Sequence, residues 1–112
     1  MSTVTTISFT WIPEKLGGHN ADPWVGMRVT IRWQRYLDEF MKRAWDVECR
    51  ELDYDSDTNQ GRGVFAFASH DPLPHAWTAV GELVELLNGY RVLAVGRIEQ
   101  TDNEFEHASA LT

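Results

Sequence analysis

Apolar and polar residues alternate from Ile7 through Phe9 to Trp11, with Ser8 and Thr10 between them, and Pro13 ends the run. Side chains on a strand repeat every two residues, so the pattern predicts a first strand over residues 7–12 with one buried face. Residues 13–25 carry Gly17-Gly18 and Asp22-Pro23 punctuation and read as a long irregular connection, a kind of loop that often holds function. Met27, Val29, Ile31 and Trp33 then alternate with Arg28, Thr30, Arg32 and Gln34. A helix starting at Asp22-Pro23 would also align Val25, Val29 and Trp33, but the β-branched run and Gly26 favour a second strand.

From Arg35 the period lengthens. Tyr36, Leu37, Phe40, Met41, Ala44 and Trp45 form one stripe with Asp38, Glu39, Lys42 and Arg43 opposite, which predicts a helix. Val47, Cys49, Leu52 and Tyr54 read as a strand whose alternation is shifted by a bulge, with continuation of the helix as the rival. The acidic, turn-rich residues 55–61 then separate it, as a hairpin turn would, from residues 63–69, apolar on both alternating faces like a central strand. Asp71 stands where a helix cap would, and Ala76, Trp77, Val80, Leu83, Val84 and Leu87 follow at helical spacing until Asn88-Gly89 closes the segment. Residues 91–99 form the last strand, and residues 100–112 read as a loosely ordered tail.

The expected order from Met27 is strand, helix, strand, strand, helix, strand, preceded by one extra strand. That is the ferredoxin-like βαββαβ order of an α+β fold, with both helices on one face of an antiparallel sheet. At 112 residues, one domain spanning 1–112 is expected.

Charge narrows the function classes. With 17 acidic against 10 basic residues, the formal net charge of −7 repels a phosphate backbone and disfavours general nucleic-acid binding. Arg28, Arg32, Arg35, Lys42 and Arg43 cluster, but Asp38, Glu39, Asp46 and Glu48 are interleaved with them. The same charge suits a basic protein partner, in the sense of an inhibitor or immunity protein. Cys49 is the single cysteine, so no intrachain disulfide forms, and a reducing, cytoplasmic location is expected. No export signal or membrane-spanning run is visible.

Candidate chemistry is sparse. Asp53, Asp55, Asp57 and Asn59 are spaced two apart, as in the start of a calcium-binding EF-hand loop, which they resemble. The turn glycine is displaced to Gly61 and the bidentate glutamate is missing, so a solvated acidic turn is the simpler reading. His70, Asp71 and His75 lie close together before the second expected helix, and His19 with Asp22 sits in the long loop; metal or acid–base roles compete there with capping and surface roles. The run from Arg62 to Phe67 is similar to the aromatic strand of an RNA-recognition motif, although the partner aromatic is absent and Phe65 and Phe67 also suit a core. No nucleophile elbow, phosphate loop or dinucleotide fingerprint occurs, and no cofactor is implied.

Two functional readings follow, beside a purely structural one. The first is a non-enzymatic module that binds a protein partner or itself, as a homodimer, through an open sheet edge or an aromatic surface offered by Trp11, Trp24 or Trp33. The alternative is a small-molecule-binding protein or cofactor-independent enzyme with an aromatic pocket in a dimeric arrangement, with His19, His70, Asp71 and His75 at its mouth.

Overall fold

The computed structural model describes residues 3–36, 44–71 and 73–103, and its regular structure is six strands: β1 (Thr3–Trp11), β2 (Arg28–Trp33), β3 (Trp45–Asp55), β4 (Gln60–Phe67), β5 (Leu83–Asn88) and β6 (Arg91–Asn103). Every neighbouring pair is antiparallel, in the order β1-β4-β3-β2-β5-β6, and β6 pairs back onto β1 to close a barrel. A long connection leads from β1 to β2, the run β2 to β4 folds as successive hairpins, and β4 returns beside β1. This is a Greek key.

The architecture overturns the ferredoxin-like α+β expectation. The described helical segments are short 3₁₀ turns, Glu14–Leu16, Gln34–Tyr36 and His75–Thr78. Residues 37–43 of the first expected helix lie outside the described residues, and Trp45, assigned to its stripe, instead opens β3. The second expected helix is replaced by the 3₁₀ turn and β5. A bulge between Leu86 and Leu87 is the cause: it lets two successive leucines bury while Val84 and Leu86 keep strand alternation, so the apolar spacing imitates a helical stripe. Asn88-Gly89 is therefore a hairpin signal and not a helix cap. Asn88 pairs with Arg91, and Gly89 takes φ 63° as the first residue of the two-residue turn.

Five strands lie where alternation places them, including β3, whose register slips between Cys49 and Glu51 as the expected bulge requires. Residues 100–103, read as the start of a loose tail, are instead part of β6. They are tied by side chains: the Thr101 hydroxyl donates to the Thr78 carbonyl at 2.8 Å, and the buried Thr5 hydroxyl donates to the Gln100 carbonyl at 3.1 Å.

One face of each strand fills the barrel. Ile7, Phe9 and Trp11 of β1 meet Val29, Ile31 and Trp33 of β2, Val47 and Cys49 of β3, Phe65 and Phe67 of β4, Val84 and Leu86 of β5, and Leu93 and Ile98 of β6 in one buried cluster. A six-stranded barrel is narrow enough for such side chains to fill it. Phe65 and Phe67 are thus core residues, and the likeness to a base-stacking strand fails. The outward positions of β2 are polar, Arg28, Thr30 and Arg32, with Arg32 bound to Glu85 of β5 by two hydrogen bonds of 3.1 Å, whereas β5 and β6 expose Leu83 and Val95. No described helix is long and apolar enough to cross a membrane.

Strand register divides the molecule into two ends. Trp11, the start of β4, the β3–β4 and β5–β6 turns and the connection 12–27 share one end. Trp33, Trp45, Phe67 and the connection 68–82 share the other.

Candidate functional site at the Trp11 end

The connection 12–27 folds back on β1 because its local sequence lets it turn tightly. Leu16 N–H donates to the Pro13 carbonyl and Gly17 N–H to the Glu14 carbonyl, both at 2.9 Å, which makes the 3₁₀ turn, and a bridge pairs Pro13 with His19. Gly18 passes so close to Ile12 that a Cβ would overlap its carbonyl oxygen, so only glycine fits the crossing.

This turn brings His19 onto the barrel rim. The buried Trp11 indole N–H donates to the Ala21 carbonyl at 3.0 Å, while Ala21 N–H donates to His19 Nδ1 at 3.1 Å. One residue, Ala21, thereby links both rings through its two flanking peptide groups, and the second bond requires His19 Nδ1 to be without a proton. The rings form a row: Trp11 and His19 centroids are 6.4 Å apart, and His19 and Trp24 are 5.7 Å apart. Trp11 is buried, whereas Trp24 is 48% exposed and its neighbour Val25 59% exposed. Leu16, in the same loop, is 72% exposed.

The acidic β3–β4 hairpin forms the adjoining wall. Asn59 takes the left-handed φ of 60° that closes the turn, its carbonyl accepts from Trp11 N–H at 2.7 Å, and its side-chain Oδ1 accepts from the Tyr54 hydroxyl at 3.1 Å. Burial lifts the Tyr54 hydroxyl above the ordinary tyrosine pKa, and the nearby carboxylates of Asp22 and then Asp55 lift it further. Loop and hairpin therefore share one negative field. Between them lies an open cleft of about 400 Å³, with Trp11, Glu14, His19, Asp22 and Asn59 among its walls.

The sequence candidates thus separate. Trp11, His19 and Trp24 converge with Asp22 and Asn59, while Trp33 belongs to the opposite end. There Trp33 is buried, its indole N–H donates to the Trp77 carbonyl at 2.6 Å, and its ring lies 5.0 Å from Trp77 and stacks at 6.2 Å on Phe67. It is a plug of that end and offers no surface. His70 and Asp71 are exposed near the same end, and Asp71 N–H donates to the Ser69 hydroxyl at 3.1 Å. Asp71 caps no helix: the 3₁₀ turn begins at His75 after Pro74, without a side-chain cap.

Among the described residues, no group of three or more His, Cys, Asp or Glu side chains is arranged to hold a metal. In the acidic hairpin, Asp55 Oδ1 accepts from Asp57 N–H at 2.9 Å and Asn59 Oδ1 is taken by Tyr54, so two of the four oxygen-bearing residues of the calcium-loop likeness serve the turn itself. Sequence reasoning missed Glu14, Leu16 and Val25. The signal was present in bulky apolar residues placed inside a glycine- and proline-punctuated loop. Comparison with protein-family models, curated proteins and solved structures gives no match.

Proposed function

We propose that the chain is a non-enzymatic protein-binding module whose Trp11 end docks a basic, apolar-anchored segment of a different protein. The observation that carries this reading is the exposure of Leu16, Trp24 and Val25 on one hydrogen-bonded loop beside the acidic cleft. Exposed tryptophan is a favoured anchor of interfaces, and a loop already held in shape loses less entropy on binding. The acidic rim adds selectivity. The loop and the hairpin turn present Glu14, Asp22, Asp55 and Asp57 against one cation of their own, Lys15, with Arg91 at the β5–β6 turn of the same end; Asp53 faces Arg62 across the β3–β4 ladder and lies outside this cleft.

That charge also argues against a second copy as the occupant. A two-fold dimer through this end would set the same acidic rim against itself, and like charges across an interface cost several kcal/mol. Closure of the barrel removes the free sheet edges through which self-pairing was expected. The barrel interior is filled by core side chains, so the ligand pocket of the alternative reading, which was expected in a dimeric arrangement, would have to lie outside the barrel.

The test is comparative capture from the native host. A Trp24→Ala, Val25→Ser double variant removes the anchor, and Val80→Ser removes a still more exposed valine at the opposite end. Wild type and Val80→Ser are expected to retain the same basic protein and to release it as salt rises, while the double variant loses it with folding stability changed by no more than about 0.5 kcal/mol. Equal retention by all three proteins would overturn the proposal.

A further inference from the structure

The cleft has a narrower chemistry than a general docking surface. Glu14 and Asp22 line it, no described lysine or arginine does, and neither carboxylate forms an ion pair with a described residue. Trp11 and His19 line the cleft with the carboxylates, and the half-exposed Trp24 lies beyond His19, its ring centroid 5.7 Å away and outside the lining. Carboxylates facing a solvated cleft, with aromatic rings beside them, favour a planar cation that hydrogen-bonds at its edge and stacks through its face. Arginine meets both demands, whereas lysine offers a compact and strongly hydrated charge. The hydrocarbon stem of an arginine would also cover apolar ring surface while its head reached the acids.

We propose that this cleft receives an arginine side chain of the partner, with its guanidinium directed to Glu14 and Asp22 and its stem lying over His19, the ring that lines the cleft between the buried Trp11 and the half-exposed Trp24. The proposal rests on the protein-binding reading and specifies the contact within it.

The test is an NMR titration of the intact protein at about pH 8, where an ordinary imidazole is uncharged. The readout is the set of indole N–H signals, among which Trp11 reports the cleft, Trp24 the margin next to His19, and Trp33 the opposite end. The probes are a short peptide with one arginine between apolar residues, the same peptide with citrulline as the neutral isostere, the same peptide with lysine, and free arginine. The arginine peptide is expected to shift Trp11 and Trp24 saturably and to leave Trp33 in place, with the citrulline peptide inert and the lysine peptide weaker. Asp22→Asn combined with Glu14→Gln should weaken the arginine peptide at least about tenfold, a difference of 1.4 kcal/mol. Equal shifts from citrulline, or no saturable shift, would overturn the proposal. Free arginine binding as tightly as the peptide would also overturn it, by pointing to a free guanidinium compound as the ligand. If the arginine peptide fails while Trp24 and Val25 still govern partner capture, the arginine contact alone falls. If capture also becomes independent of Trp24, the binding reading falls with it.

Discussion

At the residue scale, the Trp11 end joins two rings, Trp11 and His19, through the backbone of Ala21 and sets Trp24 beside the second, and what the sequence discloses of it is uneven. Trp11, His19 and Trp24 stand out by residue type, and Asp22 by its place in the loop. Their convergence is invisible in one dimension, because it depends on Gly18 slipping beneath the Ile12 carbonyl and on Ala21 bonding at both its N–H and its C=O. At the same scale, Cys49 has a setting that disfavours the thiolate. It is buried at the β3 bulge, its thiol is directed to the Glu51 carbonyl at 3.4 Å, and burial, with the Glu48 charge second, raises its pKa from 9.0 to about 11. A thiol whose folded pKa is raised stabilises the fold below its unfolded pKa, and that contribution is lost as pH climbs from about 9 through 11. Alkylation of the native protein at neutral pH is expected to be far slower than in denaturant, with stability declining across that alkaline range in wild type and less so in Cys49→Ala. Rapid native alkylation, followed by mass spectrometry, would contradict the burial.

At the element scale, bulges decide how far the pattern can be read. Strand β2 has none and is the most legible, and Val29, Ile31 and Trp33 bury as its alternation requires. In β5 the bulge at Leu86–Leu87 breaks the period of two, and the surrounding apolar residues fit a helix equally well. The two readings disagree over particular leucines. A helical stripe buries Leu83 and leaves Leu86 off the stripe, whereas β5 buries Leu86 completely and leaves Leu83 43% exposed. Leu86→Ala is accordingly expected to cost about 2–5 kcal/mol, and Leu83→Ala no more than about 0.5 kcal/mol, in chemical denaturation. The reverse ranking would restore the helix.

At the scale of the whole molecule, closure is what local pattern does not record. A period of two says that a strand has a buried face and is silent on whether the last strand returns to the first. Here β6 runs the length of β1, from Thr3 opposite Asn103 to Trp11 opposite Ala94, and its final residues were the ones that looked patternless. Thr101 and Asp102 carry no apolar signal because their fixing is by pairing and hydroxyl bonds. Closure also has a functional consequence. With the sheet edges paired and the interior filled, recognition falls to the outer wall and the two ends. Trp11 and Trp33 are both buried and Val80 is exposed at the Trp33 end; the Trp11 end differs in carrying exposed Leu16, Trp24 and Val25 on a loop that also lines a cleft whose carboxylates form no ion pair with a described residue.

Site-specific photo-crosslinking in the native host tests that assignment most directly, with a photoreactive amino acid placed at Val25 in one strain and at Val80 in another. The two positions are both exposed and lie at opposite ends of the barrel. A discrete protein adduct from position 25, absent from position 80 and abolished by Trp24→Ala, is the predicted result; adducts from position 80 alone, or equally from both, would contradict docking at the Trp11 end.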